Sequence, residues 1–267
     1  MTRGPRRHLK RLNAPSSWQL DKLGGKYAPK PSSGPHRLSE CIPLCILLTR
    51  KLEYATTTKE LKYILRKKMI KVNGVVRTDK DFPVGFMDVI SIDTTNENMR
   101  LLYSNNRAFM LHNISSEEAT YRLCRVSKKK MGIGGIPYIY TQDGSTFRYC
   151  DPKINVNDVV KVNIKEKKVV GFLPFKSGMK VFITKGKNLG CIGVISGIEK
   201  HMGSHDIAYV VDAKGRSFST RTSNAFIIGD SESYWISLPE GEGIKISELE
   251  KSNIKYGEIA SVPVAEE

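Results

Sequence analysis

KVFITKGKNLGCIGVISGIEK, residues 180–200, is the stretch on which the fold turns. Its ends are apolar and β-branched, and its middle is rich in glycine and lysine. Two readings compete. A loop that cradles nucleotide phosphates would set the glycines between a strand and a helix. A turn between two strands would instead carry the lysines to a nucleic-acid backbone. A Walker loop needs Lys and then Ser or Thr after its second glycine. Here Gly190 is followed by Cys191 and Ile192, and the glycine-broken, β-branched CIGVISGIEK disfavours a helix. The dinucleotide pattern G-x-G-x-x-G is missing, and in MGIGGIP at 131–137 Pro137 stands where the third glycine belongs. Strand–turn–strand is the better reading. Gly186 and Gly190 permit positive φ or close backbone approach, and Lys185, Lys187 and Asn188 at the tip become candidate phosphate contacts.

The residues that follow extend this unit. DIAYVVDAKGRSFSTR at 206–221 reads as strand, turn, strand, and NAFIIG adds another strand. Four or five short strands of this kind close an SH3-like barrel over residues 176–229. Its β-loop-β start resembles a KOW motif, an element common in ribosomal proteins and transcription elongation factors. That resemblance implies RNA or protein contact by the loop, with Lys200 and Arg221 as further candidates on the same unit.

Upstream, residues 41–98 carry helical and then strand signals. IPLCILLTRKL has a helical apolar face. In TTTKELKYILRKKM, Thr57 and Glu60 match a capping box, and Leu61, Ile64, Leu65 and Met69 share one helical face. Lys62, Arg66 and Lys67 lie elsewhere on that helix, so a basic side faces outward. IKVNGVVR, with Arg77 at its end, predicts a hairpin about Asn73-Gly74, and GFMDVISID a further strand. Residues 99–175 predict hairpins about Asn105-Asn106 and Asp143-Gly144. They also predict a short helix start at SSEE, residues 115–118, and a strand pair about residues 165–167. Short strands at regular spacing suggest a small barrel or a half-open sheet. The fold class is therefore α+β, mostly β.

Residues 1–40 differ in kind. Five prolines, many Ser and Gly, nine Lys/Arg and two Asp/Glu give a segment of charge +7 that buries little. It reads as an extended basic arm, unordered when free and ordered by its partner. Trp18 and Tyr27 stand out in it: each is suited to stacking on a base or to anchoring the arm. The acidic end, residues 230–267, carries three Lys/Arg and nine Asp/Glu, and suggests a face turned away from a polyanion.

The whole chain, 267 residues, is long enough for two or three small domains. Its 43 Lys/Arg against 27 Asp/Glu leave a net charge of +16, which favours a polyanionic partner through counterion release. Five scattered cysteines without a CxxC pair imply neither a disulfide framework nor a zinc ribbon. His201 and His205 lack the companions a metal site requires. The longest apolar run, CIPLCILL at 41–48, is too short to cross a bilayer, and the basic start MTRGPRRHLKRL has no apolar segment behind it.

HLKRLNAPSSWQL at 8–20, followed by Lys22, resembles the N-terminal motif of the eukaryotic and archaeal small-subunit ribosomal protein S-four family. The matching positions are His8, Lys10, Arg11, Pro15, Trp18, Leu20 and Lys22. KPSSGPHRLSEC at 30–41 continues the likeness. The strand part of residues 70–93 is similar to the S-four RNA-binding domain, residues 185–229 to the family's KOW segment, and WISLPEGEGIKIS to its C-terminal end.

The resemblance implies a structural component of the small ribosomal subunit bound to its rRNA and to neighbouring ribosomal proteins. It implies no catalysis, cofactor, metal, small-molecule substrate, membrane or homo-oligomer. The implied location is the cytoplasmic ribosome, with nucleolar assembly in a eukaryote. The implied RNA contacts in the arm are Arg3, Arg6, Arg7, His8, Lys10, Arg11, Trp18, Lys22, Lys26, Lys30 and Arg37, joined by the helix and loop residues above. Two rivals stand against this. An S-four-domain RNA-modifying enzyme would need a catalytic domain with an aspartate nucleophile, where only strand-rich units appear. A transient RNA-binding factor would leave the motif at 8–22 unexplained.

Overall fold

The computed structural model describes residues 7–239 and 243–257. Three five-stranded antiparallel sheets carry most of the chain. In the first sheet the order is Val75–Val76, Ile70–Val72, Val89–Ile92, Glu97–Tyr103, Phe109–Asn113. Asn73 and Gly74 take φ of 49° and 73°, the mirror-image turn that suits a tight hairpin. The helix Thr58–Arg66 begins with the expected capping box: Thr57 accepts from Glu60 N, and Glu60 accepts from Thr57 N. Leu61 and Leu65 are buried beneath it. The preceding IPLCILLTRKL forms one helical turn, Leu44–Ile46, that loosens into a π-helical turn, Leu47–Lys51. Thr49 Oγ1 donates to Cys45 O at 2.7 Å there, a back-bond that competes with the helix's own ladder. The strand Glu97–Tyr103 runs across the boundary expected between residues 98 and 99. Val89 pairs with Arg100 and Ile90 with Met99, so the whole hairpin 97–113 belongs to the first sheet.

The second sheet has the order Thr146–Arg148, Pro137–Thr141, Tyr121–Met131, Val159–Asn163, Val169–Leu173. Its long strand Tyr121–Met131 escaped the sequence reading, because three consecutive lysines hide the alternation. A bulge between Val126 and Lys128 divides that strand. One half pairs with Val159–Asn163 and the other with Pro137–Thr141.

The third sheet contains the opening stretch. Its order is Ser217–Arg221, Ile207–Asp212, Ile192–Glu199, Lys180–Ile183, Ala225–Gly229. The turn Thr222–Asn224 joins the two edge strands directly, so the sheet curls on itself as a half-open barrel. The strand–turn–strand reading of residues 180–200 therefore holds. Gly190 has φ of 87°, and a Cβ on it would lie 2.5 Å from Ser104 O. Its lack of a side chain lets the loop press on the backbone of the first sheet's hairpin.

One apolar core runs from Trp18 through the first helix turns and the first sheet into Val181, Ile183 and Ile227 of the third sheet. A smaller cluster about Val126, Ile139 and Phe147 serves the second sheet. The arm is not the free extended segment expected. Leu9–Lys10 pairs with Tyr27–Ala28. Trp18 is 1% exposed, and its Nε1 donates to Cys41 O at 2.6 Å. A buried indole and its satisfied N–H hold the segment to the body. The C-terminal segment docks as well. Ile236 is buried, Tyr121 Oη donates to Trp235 O at 2.6 Å, and Lys214 pairs with Glu250 of the helix Glu248–Tyr256. No described helix is long and apolar enough to cross a membrane.

Candidate nucleic-acid interface

Among the described residues, the cations expected to meet RNA fall into three groups. In the arm, the pairing of Leu9–Lys10 with Tyr27–Ala28 gathers basic groups about one ring. Lys10 Nζ lies 4.6 Å and Lys26 Nζ 5.7 Å from the Tyr27 centroid, and the His8 ring is 5.4 Å away. Tyr27 itself is exposed. An aromatic face ringed by cations offers a base a stacking partner and its phosphates a counter-charge. Arg7, Lys22 and Arg37 are also exposed along the arm, and Lys30 is half-buried. Arg3 and Arg6 lie outside the described residues.

The helix Thr58–Arg66 supplies the second group. Helical spacing puts Lys59, Lys62 and Arg66 on the side away from buried Leu61 and Leu65. Lys67 Nζ sits 5.5 Å over the ring of Tyr63, which is 61% exposed. Tyr63 was not singled out from sequence. The signal was there: at four residues before Lys67, it shares the face of a cation rather than that of the leucines.

The third group is dispersed over the half-open barrel. Lys187, Lys200 and Arg221 are exposed. Asn188 is half-buried, and its carbonyl accepts from Cys191 N at 3.1 Å, which closes the loop.

Four expected contacts are committed within the protein. Trp18 is locked in the core and cannot stack on a base, so of its two expected roles it takes the anchoring one. Arg11 folds inward, its Nε donating to Asp21 O, and its guanidinium fills the space a side chain at Gly24 would need. Arg77 stacks on Phe82 at 4.3 Å, with its Nε buried. Lys185 pairs with Glu40 at 2.7 Å. In each case an internal partner engages the side chain that sequence offered to RNA, although Arg11 Nη2 and Arg77 Nε stay buried without a hydrogen bond.

The arm is placed by buried ionic chemistry that sequence did not disclose. Asp88 is fully buried and accepts from His36 Nε2 at 2.7 Å, Asn73 Nδ2 at 2.7 Å, Gly85 N at 2.8 Å and Arg122 Nη1 at 3.3 Å. Burial alone would raise its pKa. The charge and hydrogen bond of His36, then Arg122, outweigh it and hold the carboxyl at about 2. His36 shows the same balance with the opposite sign: burial pulls it down, and Asp88 outweighs that and raises it above its ordinary value. Arg122 also bonds Asp143 and Ser145 of the second sheet. One carboxylate thus ties arm, first sheet and second sheet. A second buried pair, Arg100 with Glu118, ties the first sheet to the C-terminal segment, since Glu118 also accepts from Ser237 N and Oγ at 3.1 and 2.7 Å.

No described residues form a group of three or more His, Cys, Asp or Glu placed to hold a metal ion. All five cysteines are free.

Known proteins resemble this chain along most of its length. The model described as "Ribosomal family S4e" matches residues 95–169, "RS4NT (NUC023) domain" matches 3–39, and "40S ribosomal protein S4 C-terminus" matches 212–256. The small ribosomal subunit protein eS4 of Ixodes scapularis is 51% identical over 251 residues, covering 94% of this chain and 96% of that protein. The eS4C protein of Schizosaccharomyces pombe is 49% identical over the same shares. Among solved structures, the 30S ribosomal protein S4e of Thermoplasma acidophilum aligns with a TM-score of 0.64 and 31% identity. It covers 74% of this chain and 99% of its own. Matched from its arm to its C-terminal helix, the chain belongs to the S4e family of small ribosomal subunit proteins.

Proposed function

We infer that this chain is a structural constituent of the small ribosomal subunit, not an enzyme, and that it binds rRNA by clamping phosphates on a shape-matched surface. The carrying observation is identity at about half of all positions along nearly the whole chain to proteins named as small-subunit components. In this reading residues 1–40 are the rRNA-binding arm. Residues 41–98, extended by the hairpin to residue 113, are an S-four-like RNA-binding unit. Residues 176–229 are a KOW barrel.

The described residues proposed to contact RNA are Arg7, His8, Lys10, Lys22, Lys26, Lys30, Arg37, Lys62, Arg66, Lys67, Lys187, Lys200 and Arg221. Asn188 adds a polar contact at the loop tip. Arginine and lysine at these points fix register by phosphate contact, and a folded rRNA offers shape enough that base reading is not required. The proposed location is the cytoplasmic ribosome, with assembly in the nucleolus of a eukaryotic cell.

Sucrose-gradient sedimentation of a lysate in low and high salt tests the assignment, with the chain followed by mass spectrometry. It should travel stoichiometrically with the small subunit and survive high salt. Release in moderate salt would make it a transient RNA-binding factor instead.

A further inference from the structure

The second sheet carries a face to which the reading above gives no role. Across three strands, Lys130 pairs with Tyr138 and Tyr138 with Arg148; one step along, Lys128 pairs with Tyr140 and Tyr140 with Thr146. Directly paired residues of antiparallel strands share a face, as do residues two apart on one strand. These six side chains therefore stand on one side of the sheet. The intervening row, Lys129, Ile139 and Phe147, points the other way. Ile139 and Phe147 are buried in the second sheet's own core, and Lys129 Nζ is tied back to Pro152 O and Ile154 O at 2.7 and 2.9 Å.

The outward face thus holds two tyrosines flanked by lysines on one side and an arginine on the other, with no carboxylate among the six. Lys128, Lys130, Arg148 and Tyr140 are exposed, and Tyr138 is half-buried. Tyr138 is fixed in place. A side chain at Gly132 would collide with its ring, so the glycine makes room for the ring against the hairpin, and the Arg148 guanidinium lies 5.7 Å from the ring centroid.

We propose that this face is a second RNA-binding surface, on which Tyr138 and Tyr140 stack successive unpaired bases while Lys128, Lys130 and Arg148 hold the phosphates. Two aromatic rings at alternate positions of one strand, between rows of cations, form a stacking platform for a single strand. A duplex keeps its bases stacked on each other and offers nothing to the rings. Charge and rings together select the occupant: three cations on a carboxylate-free face call for an anionic chain, and two tyrosines set between them suit one that carries a planar base with each charge, a phosphodiester chain rather than an acidic protein neighbour. None of the arm, helix or barrel residues lies on this face, so it stands apart from the contacts inferred above.

The test uses the full chain, a 4-thiouridine-bearing oligouridine of about 12 nucleotides and an RNA duplex of equal length. Photo-crosslinking followed by peptide mapping should place single-strand adducts within residues 128–148. Adducts confined to the arm, helix and barrel would overturn the proposal. In fluorescence anisotropy, Tyr138→Ala with Tyr140→Ala should weaken oligouridine binding about five- to 150-fold per ring lost. Tyr138→Phe with Tyr140→Phe should keep it, and duplex binding should change little in either. Equal loss in the phenylalanine pair, or none in the alanine pair with its melting temperature unchanged, would sink the stacking role and leave the face to a protein neighbour. Should the alanine pair fail to fold, the crosslink map of the unaltered chain still decides.

Discussion

Lys185 Nζ lies 2.7 Å from Glu40 Oε1, so the tip of the glycine-lysine loop grips the end of the arm across the body of the protein. Gln142 of the second sheet donates to the other oxygen of Glu40 at 3.1 Å. The two neighbouring lysines of the loop therefore differ in kind. Lys187→Ala should weaken RNA binding and lower its salt slope by about 0.7–0.9 for the lost phosphate contact, with stability unchanged. Lys185→Ala should cost up to about 1 kcal/mol of stability, the range for a partly exposed pair. Salt titrations of affinity beside urea unfolding curves would separate the two; identical behaviour of both variants would show the Glu40 contact to be inconsequential.

Asp88→Asn removes a buried charge that His36, Arg122, Asn73 and Gly85 all serve. Breaking such a cluster from one side leaves cations buried without their partner, at about 3–5 kcal/mol. Chemical denaturation should show the loss, and limited proteolysis should open residues 7–40 first. A variant as stable as the parent would mean that the junction is neutral.

His36 gives the arm a pH dependence whose sign is set. Its folded pKa is raised above the ordinary 6.5, so its stabilisation is complete below 6.5 and lost as pH rises through the raised value. Asp88, held at about 2, contributes above 3.8 and fails only as pH falls toward 2. Unfolding midpoints taken from about pH 6 to about pH 9 should decline, and His36→Gln should flatten that decline. A slope of the same size in the variant would assign it to other groups.

Trp18→Phe should destabilise the protein by about 1–3 kcal/mol, because Cys41 O loses its donor in a buried place. Trp18→Ala adds a cavity and should cost about 3–5 kcal/mol. In both, RNA affinity per folded molecule should follow arm ordering rather than the loss of a stacked base. In a Trp235→Phe background, where Trp18 is the one tryptophan left, an emission maximum that stays blue-shifted with and without RNA would confirm burial in both states; a red maximum in the free protein would refute it.

Gly190→Ala strains a φ of 87° and drives a methyl into Ser104 O. Destabilisation beyond the usual 1 kcal/mol for a glycine change is expected, read as an earlier thermal transition. Gly215→Ala, also at positive φ but with open space around it, should cost less.

These residues also show what the sequence discloses. Local rules were readable: the Thr57–Glu60 cap, the Asn73-Gly74 turn and the apolar spacing of Leu61 and Leu65 each depend on residues within a few positions. The strand Tyr121–Met131 was hidden because its outward lysines break the apolar alternation while its other half is buried. Exposure of a cation was harder still. Arg77, Lys185 and Arg11 read as free charges, yet Phe82, Glu40 and Asp21 lie within reach only once the chain has folded. His36 and Asp88 are 52 positions apart, beyond any periodicity argument.

Chain order also gives the two buried junctions different birthdays. His36, Asn73, Gly85 and Asp88 all precede the second sheet in the chain, so the arm can be fastened to the first sheet's leading strands before the second sheet has been made. Arg122 then arrives and locks the second sheet to a partner already waiting. Glu118 must wait 119 residues for Ser237. Order along the chain thus lets the junction at Asp88 form before the clasp between Glu118 and Ser237, from the basic arm toward the acidic end.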